Sequence, residues 1–291
     1  MFKKLAFQII FIISTLVLTC TAAYSETEIK VNAASGAKAD YVIKLIELAY
    51  QKLDKKLTIT RDETRVTQGR INEEVANGNL DVMWVSTSVK KEEDFLPVRI
   101  PLLKGLLGYR IMFIRQGEQS KFDSIRILDD LRSIKLGQGR TWADTAILEA
   151  NNIDVVKAAK KDNLFNMLDG SRFDAFPRGA SEPFSEIQQY SHLNIAIESN
   201  LVLAYKMPFY IFVNKNNHAL AADIEQGLNL AIADGSFDKV FYRNPTVIDA
   251  LEKARLDKRH VIELVNPTLP TNTPVDRKEL WLSPADTRPQ P

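Results

Sequence analysis

The side chains best suited to holding a ligand follow short apolar runs. In Ile134-Lys135-Leu136-Gly137-Gln138-Gly139-Arg140-Thr141-Trp142-Ala143-Asp144, a strand-like run meets two glycines, and a helix is expected to open at Thr141. The Thr141 hydroxyl suits an N-cap, with Asp144 as a first-turn acid. Backbone N–H groups and the positive end of a helix dipole would then face whatever lies in front. Arg140 adds a forked cation and Trp142 a flat apolar face, a combination that fits an anionic or zwitterionic small molecule. An ordinary β-to-α turn, its glycines present for steric reasons, accounts for the same residues. A dinucleotide site would need a third glycine where Trp142 stands. Arg178 in Pro177-Arg178-Gly179 is a second guanidinium at a strand end, and a bidentate fork on a carboxylate is what its geometry favours. Either arginine could instead be paired by a neighbouring acid, Asp144 or Glu182. Trp84 and Trp142 could sandwich a planar ligand, although Trp84 sits inside an apolar strand that suits the core. Ser86, Thr87 and Ser88 offer hydroxyls or plain turn chemistry.

Catalytic patterns are missing from the sequence. His192, His218 and His260 are far apart, no nucleophile elbow or HExxH occurs, and no Cys/His metal spacing is present. Glu73-Glu74 and Glu92-Glu93 lie in polar stretches and read as solvated faces. No enzyme activity, cofactor or metal is therefore expected.

The elements that position these residues can be read from periodicity. Glu28 to Ala33 alternates as a strand, and Val42, Leu45, Ile46, Ala49 and Leu53 share one helical face. Leu57–Thr60 reads as a strand, Val66–Val75 as a helix and Asp81–Val85 as a buried strand. This β-α-β-α-β order implies a mainly parallel sheet covered by helices. After Pro97, Leu106–Ile114 reads as a crossing strand and Ile125–Leu131 as a helix. Asn151–Val156 offers a strand, Asp162–Leu168 a helix, and Phe173–Phe176 a strand stopped by Pro177. Phe209–Val213 is a return crossing, followed by helical spacing through Leu220, Ile224, Leu228 and Ala231 to Gly235. Ligands in open α/β sheets sit beyond the carboxyl ends of the strands. That rule selects four loops: Ala33 to Gly36 with Ser35, Trp84 to Ser88, Gly139 to Trp142, and Pro177 to Gly179. A short pattern also recurs, Gly78-Asn79-Leu80-Asp81 in the first half and Gly170-Ser171-Arg172-Phe173-Asp174 in the second.

The chain opens Met1-Phe2-Lys3-Lys4, runs apolar from Leu5 to Leu18 and reaches Ala23-Tyr24-Ser25, a signal-peptide pattern with cleavage after Ser25. Losing Lys3 and Lys4 leaves 36 basic against 37 acidic residues, a charge near −1 with no long run of one sign. Nothing there is a footprint for nucleic acid. Cys20 is the only cysteine, so the exported chain would rely on its core rather than on disulfides. Val261–Val265 is strand-like, and the prolines beyond it at 267, 270, 274, 284, 289 and 291 forbid a continuing helix.

These features resemble the type II periplasmic solute-binding proteins, in particular the amino-acid-type (family 3) substrate-binding proteins of ABC importers. Gly78-Asn79-Leu80-Asp81-Val82 resembles the family's G-x-x-D lead into a strand, and Thr87-Ser88-Val89-Lys90 with Phe95 and Pro97 its T-x-x-R…F-x-x-P segment. Gly139-Arg140-Thr141 resembles its carboxylate-holding G-x-T turn, and Gly170 to Ala175 its G-x-x-D-A run. The resemblance implies a two-lobe α/β fold, two mainly parallel sheets with two crossover strands. Residues 1–25 would be the signal peptide, 26–109 with 210–258 the first lobe, 110–209 the second, and 259–291 an extended C-terminal tail packing on the first lobe. It implies a monomer that presents a small solute to an inner-membrane ABC permease or a sensor. Lys90 stands where the family's α-carboxylate arginine is expected, leaving Arg99, Arg110, Arg140 or Arg178 for that task. Pro177-Arg178 stands where an acid would meet the ligand's ammonium. A more anionic or larger solute than a plain α-amino acid is expected. An exported cell-wall enzyme and an orphan ligand-sensing domain are the alternatives.

Overall fold

The computed structural model describes residues 26–34 and 36–283. The expected signal peptide, with Cys20, and the last residues of the tail lie outside the described residues.

Alternation along Thr27–Asn32 (β1) buries Ile29 and Val31 while Glu28 and Lys30 face solvent. The helical spacing of Val42, Leu45, Ile46 and Ala49 buries one face of Ala37–Lys52 (α1). Leu57–Asp62 (β2), Gln68–Ala76 (α2), Val82–Ser86 (β3), Val89–Asp94 (α3) and Phe95–Val98 (β4) follow. The chain then crosses to Tyr109–Arg115 (β5) and continues through Gln119–Asp123 (α4), Leu128–Leu131 (α5), Leu136–Gly139 (β6) and Ala143–Ala150 (α6). Val155–Ala158 (β7), Lys161–Asp169 (α7), Ala175–Gly179 (β8), Pro183–Gln189 (α8), Ile195–Ile197 (β9) and Leu201–Ala204 (β10) complete this half. A return crossing leads into Phe209–Asn214 (β11), then His218–Ala233 (α9), Ser236–Tyr242 (α10), Pro245–Ala254 (α11) and His260–Glu263 (β12).

Two sheets result. The first has the order β2-β1-β3-β11-β4, and the second β12-β10-β5-β8-β6-β7 with β9 also on β5. Within each, the β-α-β runs are parallel: β1 with β2 and β3, and β6 with β7 and β8. The crossing strands β11 and β5 pair antiparallel with β3 and β8. The carboxyl ends of the parallel strands therefore share an edge with the amino ends of β11 and β5. The first core takes in α9 to α11 as well as the first sheet. Helices α1 and α9 touch backbone to backbone, because a Cβ on Gly227 would lie 2.2 Å from the Ala49 carbonyl oxygen. The second sheet is covered on both faces, with Met112 and Ile114 of β5 on one side and Phe113 on the other.

Four local expectations change. Thr141 is exposed and does not cap α6, which begins at Ala143 with Trp142 at the N-cap position and no side-chain cap. The expected helix over 125–131 shrinks to α5, a single turn in which Asp130 accepts the Arg126 and Ile127 N–H groups. Strand β8 runs through Pro177 to Gly179. Ala180 donates to Tyr109 on β5, whereas Ala175 donates to Lys135 on the β6 side. Pleat alternation puts position 177 with 175, on the β6 side, where Ala175 is paired with Leu136, so proline's missing N–H leaves the β5 ladder intact. The tail is the fourth. Its strand β12 joins β10 in the second sheet with Val261 packed against the first core, and its later part reaches that core through Leu280 and Leu282. Along the way Asn266 donates to the Lys206 carbonyl at 2.9 Å, and the Leu282 N–H donates to Lys104 at 2.8 Å. Trp281 lies against Gly105, whose φ of +74° and lack of a Cβ leave room for the indole.

Candidate functional site

Two cavities open at these shared strand edges. One, of about 560 Å³, is bounded by Asn32 and Ala34 after β1, by Trp84 and Ser86 of β3, and by Phe209 at the start of β11. The other, of about 610 Å³, is bounded by Arg110 at the start of β5, by Arg178 to Glu182 at the end of β8, and by α8 and α11. Lys38 and Leu107 line both, so the cavities adjoin.

The second-sheet wall is a closed ion network. Arg178 donates from Nε to Glu186 at 2.8 Å and from Nη2 to both Glu186 and Glu182, at 2.8 and 2.9 Å. Lys161 adds a bond of 2.9 Å to Glu186. Arg178 also lies over the rings of Trp142 and Phe176, which stack on each other. Glu182 accepts the Gly179 N–H at 2.6 Å, a contact that a side chain at Gly179 would block. Arg110 donates to the Tyr205 hydroxyl at 2.8 Å and pairs with Asp144 at 2.8 Å, while Tyr205 donates to Asp144. Burial alone would weaken the Arg110 charge, but Tyr205, Asp144 and Glu182 hold it firmly protonated. Burial likewise pushes the Tyr205 hydroxyl up, so it stays a neutral donor. The Glu186 carboxyl, which burial alone would raise, is held below the usual carboxylate range by Arg178 and Lys161. Three cations thus meet three carboxylates, and this wall has no net charge to spend on a ligand.

The first-sheet wall is different. Lys38 and Arg65 line its cavity and are exposed, and neither makes a side-chain ion pair or hydrogen bond with a described residue. Among the described residues no Asp or Glu lines this cavity. Lys38 Nζ stands 5.8 Å from the Phe209 ring centroid.

The residues expected from sequence are distributed as follows. Trp84 and Ser86 line the first cavity, and Arg110 and Arg178 the second. Trp142 lines neither and serves as the shelf beneath Arg178. Arg140 is exposed at the end of β6, without a side-chain partner among the described residues and outside both cavities, and Thr141 is likewise exposed and outside both. Thr87 and Arg99 are drawn together elsewhere by Glu92, which accepts from both. Glu92 is therefore no solvated residue, since its side chain is only 9% exposed. Ser35 lies outside the described residues. Sequence reasoning missed Lys38, Arg65, Tyr205 and Glu186. Only Lys38 carried a usable signal, two residues past Gly36 at the opening of α1.

No model of a known protein family matches this sequence, and no curated protein does. Solved structures do. The probable amino-acid ABC transporter extracellular-binding protein ytmK from Bacillus subtilis aligns over 76% of this chain and 99% of its own, at 17% identity and a TM-score of 0.55. An ancestral arginine-binding protein bound to arginine aligns over 75% of this chain and 98% of its own, at 18% identity and a TM-score of 0.49. The likeness to the first identifies the fold as that of the two-lobe periplasmic binding proteins, two α/β sheets joined by two crossings.

Proposed function

We propose that this chain is an exported solute-binding protein that captures a small polar solute, anionic or zwitterionic, between its two lobes. The observation that carries this reading is the pair of adjoining cavities at the strand edges of two separate sheets, with Lys38 and Leu107 common to both. The lobes are 26–109 with 210–258, and 110–209. Contacts from both to one solute stabilise a closed form relative to an open one. That closed form is what an ABC permease or a sensor in the membrane would recognise, and no chemistry on the solute is required. Among the described residues no helix is long and apolar enough to cross a membrane.

A thermal-shift screen of amino acids, aliphatic and aromatic mono- and dicarboxylates, short peptides and sugars tests the reading, because a ligand bound only by the folded state raises apparent stability by mass action. Hits should also reduce the radius of gyration in X-ray scattering. A screen without stabilising solutes, or hits that leave the radius unchanged, would remove solute capture as the function.

A further inference from the structure

The two walls of the crevice differ in a way that narrows the ligand. On the second-sheet wall every guanidinium is already matched by a carboxylate, and detaching Arg178 to serve a ligand would leave Glu186, which is 5% exposed, with Lys161 as its one remaining cation among the described residues. The first-sheet cavity has the opposite balance: among the described residues it has two uncommitted cations, Lys38 and Arg65, and no acid. A ligand's negative group gains two charge-assisted contacts there. A ligand's ammonium, by contrast, finds no carboxylate and two like charges. The same cavity presents flat apolar surface. Trp84 is half-buried against the first core, with one side on the cavity, and Phe209 and Leu107 extend that surface. Asn32 and Ser86 are the neutral polar groups. The Asn32 amide nitrogen is held by the Thr64 carbonyl at 2.9 Å, leaving its oxygen and the Ser86 hydroxyl unbonded among the described residues.

We propose that the first-sheet cavity takes a small organic anion with a flat apolar body and no ammonium group, its charge on Lys38 and Arg65 and its flat face on Trp84. This assignment rests on the solute-capture reading and narrows it from anionic or zwitterionic solutes to anions alone. Lys38 is positioned for the task, because its ammonium already overhangs the Phe209 ring where the anion would sit.

Isothermal titration of the purified protein with benzoate, benzamide and L-phenylalanine tests it, since the three share one flat ring. Benzoate carries the charge alone, benzamide lacks it, and L-phenylalanine adds an ammonium. Benzoate should bind at least about tenfold more tightly than either of the others. The double variant Lys38→Ala with Arg65→Ala should lose about tenfold or more for benzoate, and Trp84→Leu should weaken it too. Lys44→Ala, which removes an exposed charge on the same helix as Lys38, should leave it unchanged. Both cations are exposed, so the double variant keeps its fold. Benzamide or L-phenylalanine matching benzoate, undiminished binding by the double variant, or no heat from benzoate at millimolar concentration would each overturn the assignment. Tighter binding of L-phenylalanine, with compaction in scattering, would discard the ligand class and keep solute capture. Benzoate binding as expected but without compaction would keep the cavity assignment and discard capture.

Discussion

The Arg178 guanidinium carbon lies 5.1 Å from the centre of the Trp142 ring, and the same guanidinium is bonded to Glu182 and Glu186. An arginine and a tryptophan that sequence places on separate loops thus form one unit, closed on itself. This unit is a structural joint between the ends of β6 and β8. Arg178→Ala should therefore destabilise the fold by about 3 kcal/mol, the lower end for a broken buried pair, because Lys161 still reaches Glu186. Urea denaturation measures this. A free ligand clamp would behave differently, losing affinity with an unchanged midpoint.

The Glu186 carboxyl gives the joint a pH dependence. Its folded value lies below its unfolded one, so its contribution is fully present above about pH 4.3, the ordinary glutamate value. It is lost as pH falls through the lower folded value. The melting temperature of Glu186→Gln should fall short of the native protein at pH 7, and the gap should close as both are acidified below pH 4.3.

Tyr205 joins the returning crossing to β5 and α6, through Arg110 and Asp144. It is buried, so Tyr205→Phe leaves a charged donor and a carboxylate each short of a partner. A loss of about 2 kcal/mol is expected in chemical denaturation. Amide exchange should quicken in residues 205–208 before it does in the sheets.

Much of the scaffold was legible in residue spacing, and the site was legible only in part. Alternation at Ile29 and Val31 and the Val42–Ala49 stripe define which faces are buried, and β-α-β order then leaves few topologies. Local rules failed where a partner distant in sequence decided the outcome. Pro177 reads as a stop, yet β5 supplies a ladder that does not need its N–H. Glu92 sits in a charged run, yet Thr87 and Arg99 pull it inward. Arg178 and Arg140 look equivalent in sequence, but one is neutralised by Glu182 and Glu186 and the other is exposed, with no side-chain partner among the described residues. Whether a cation is committed or available depends on pairings such as Arg110 with Asp144, which periodicity does not report.

Trp281 covers Gly105 and carries Lys206 Nζ 4.4 Å from its ring centre. Trp281→Ala should cost about 2 kcal/mol, less than a fully buried tryptophan because this one is only partly buried. Hydrogen exchange should rise in residues 99–108 and 205–208 together, while the strands stay protected.

The ribbon that carries Trp281 is bonded through Leu282 to Lys104 on the outgoing crossing and through Asn266 to Lys206 on the returning one. Neither crossing can slide along the other without unseating the indole. Rotation of one sheet against the other must be shared by three ties instead of two. That constraint suits a single-axis swing and resists twist, so the end of the chain limits which motions its middle can make.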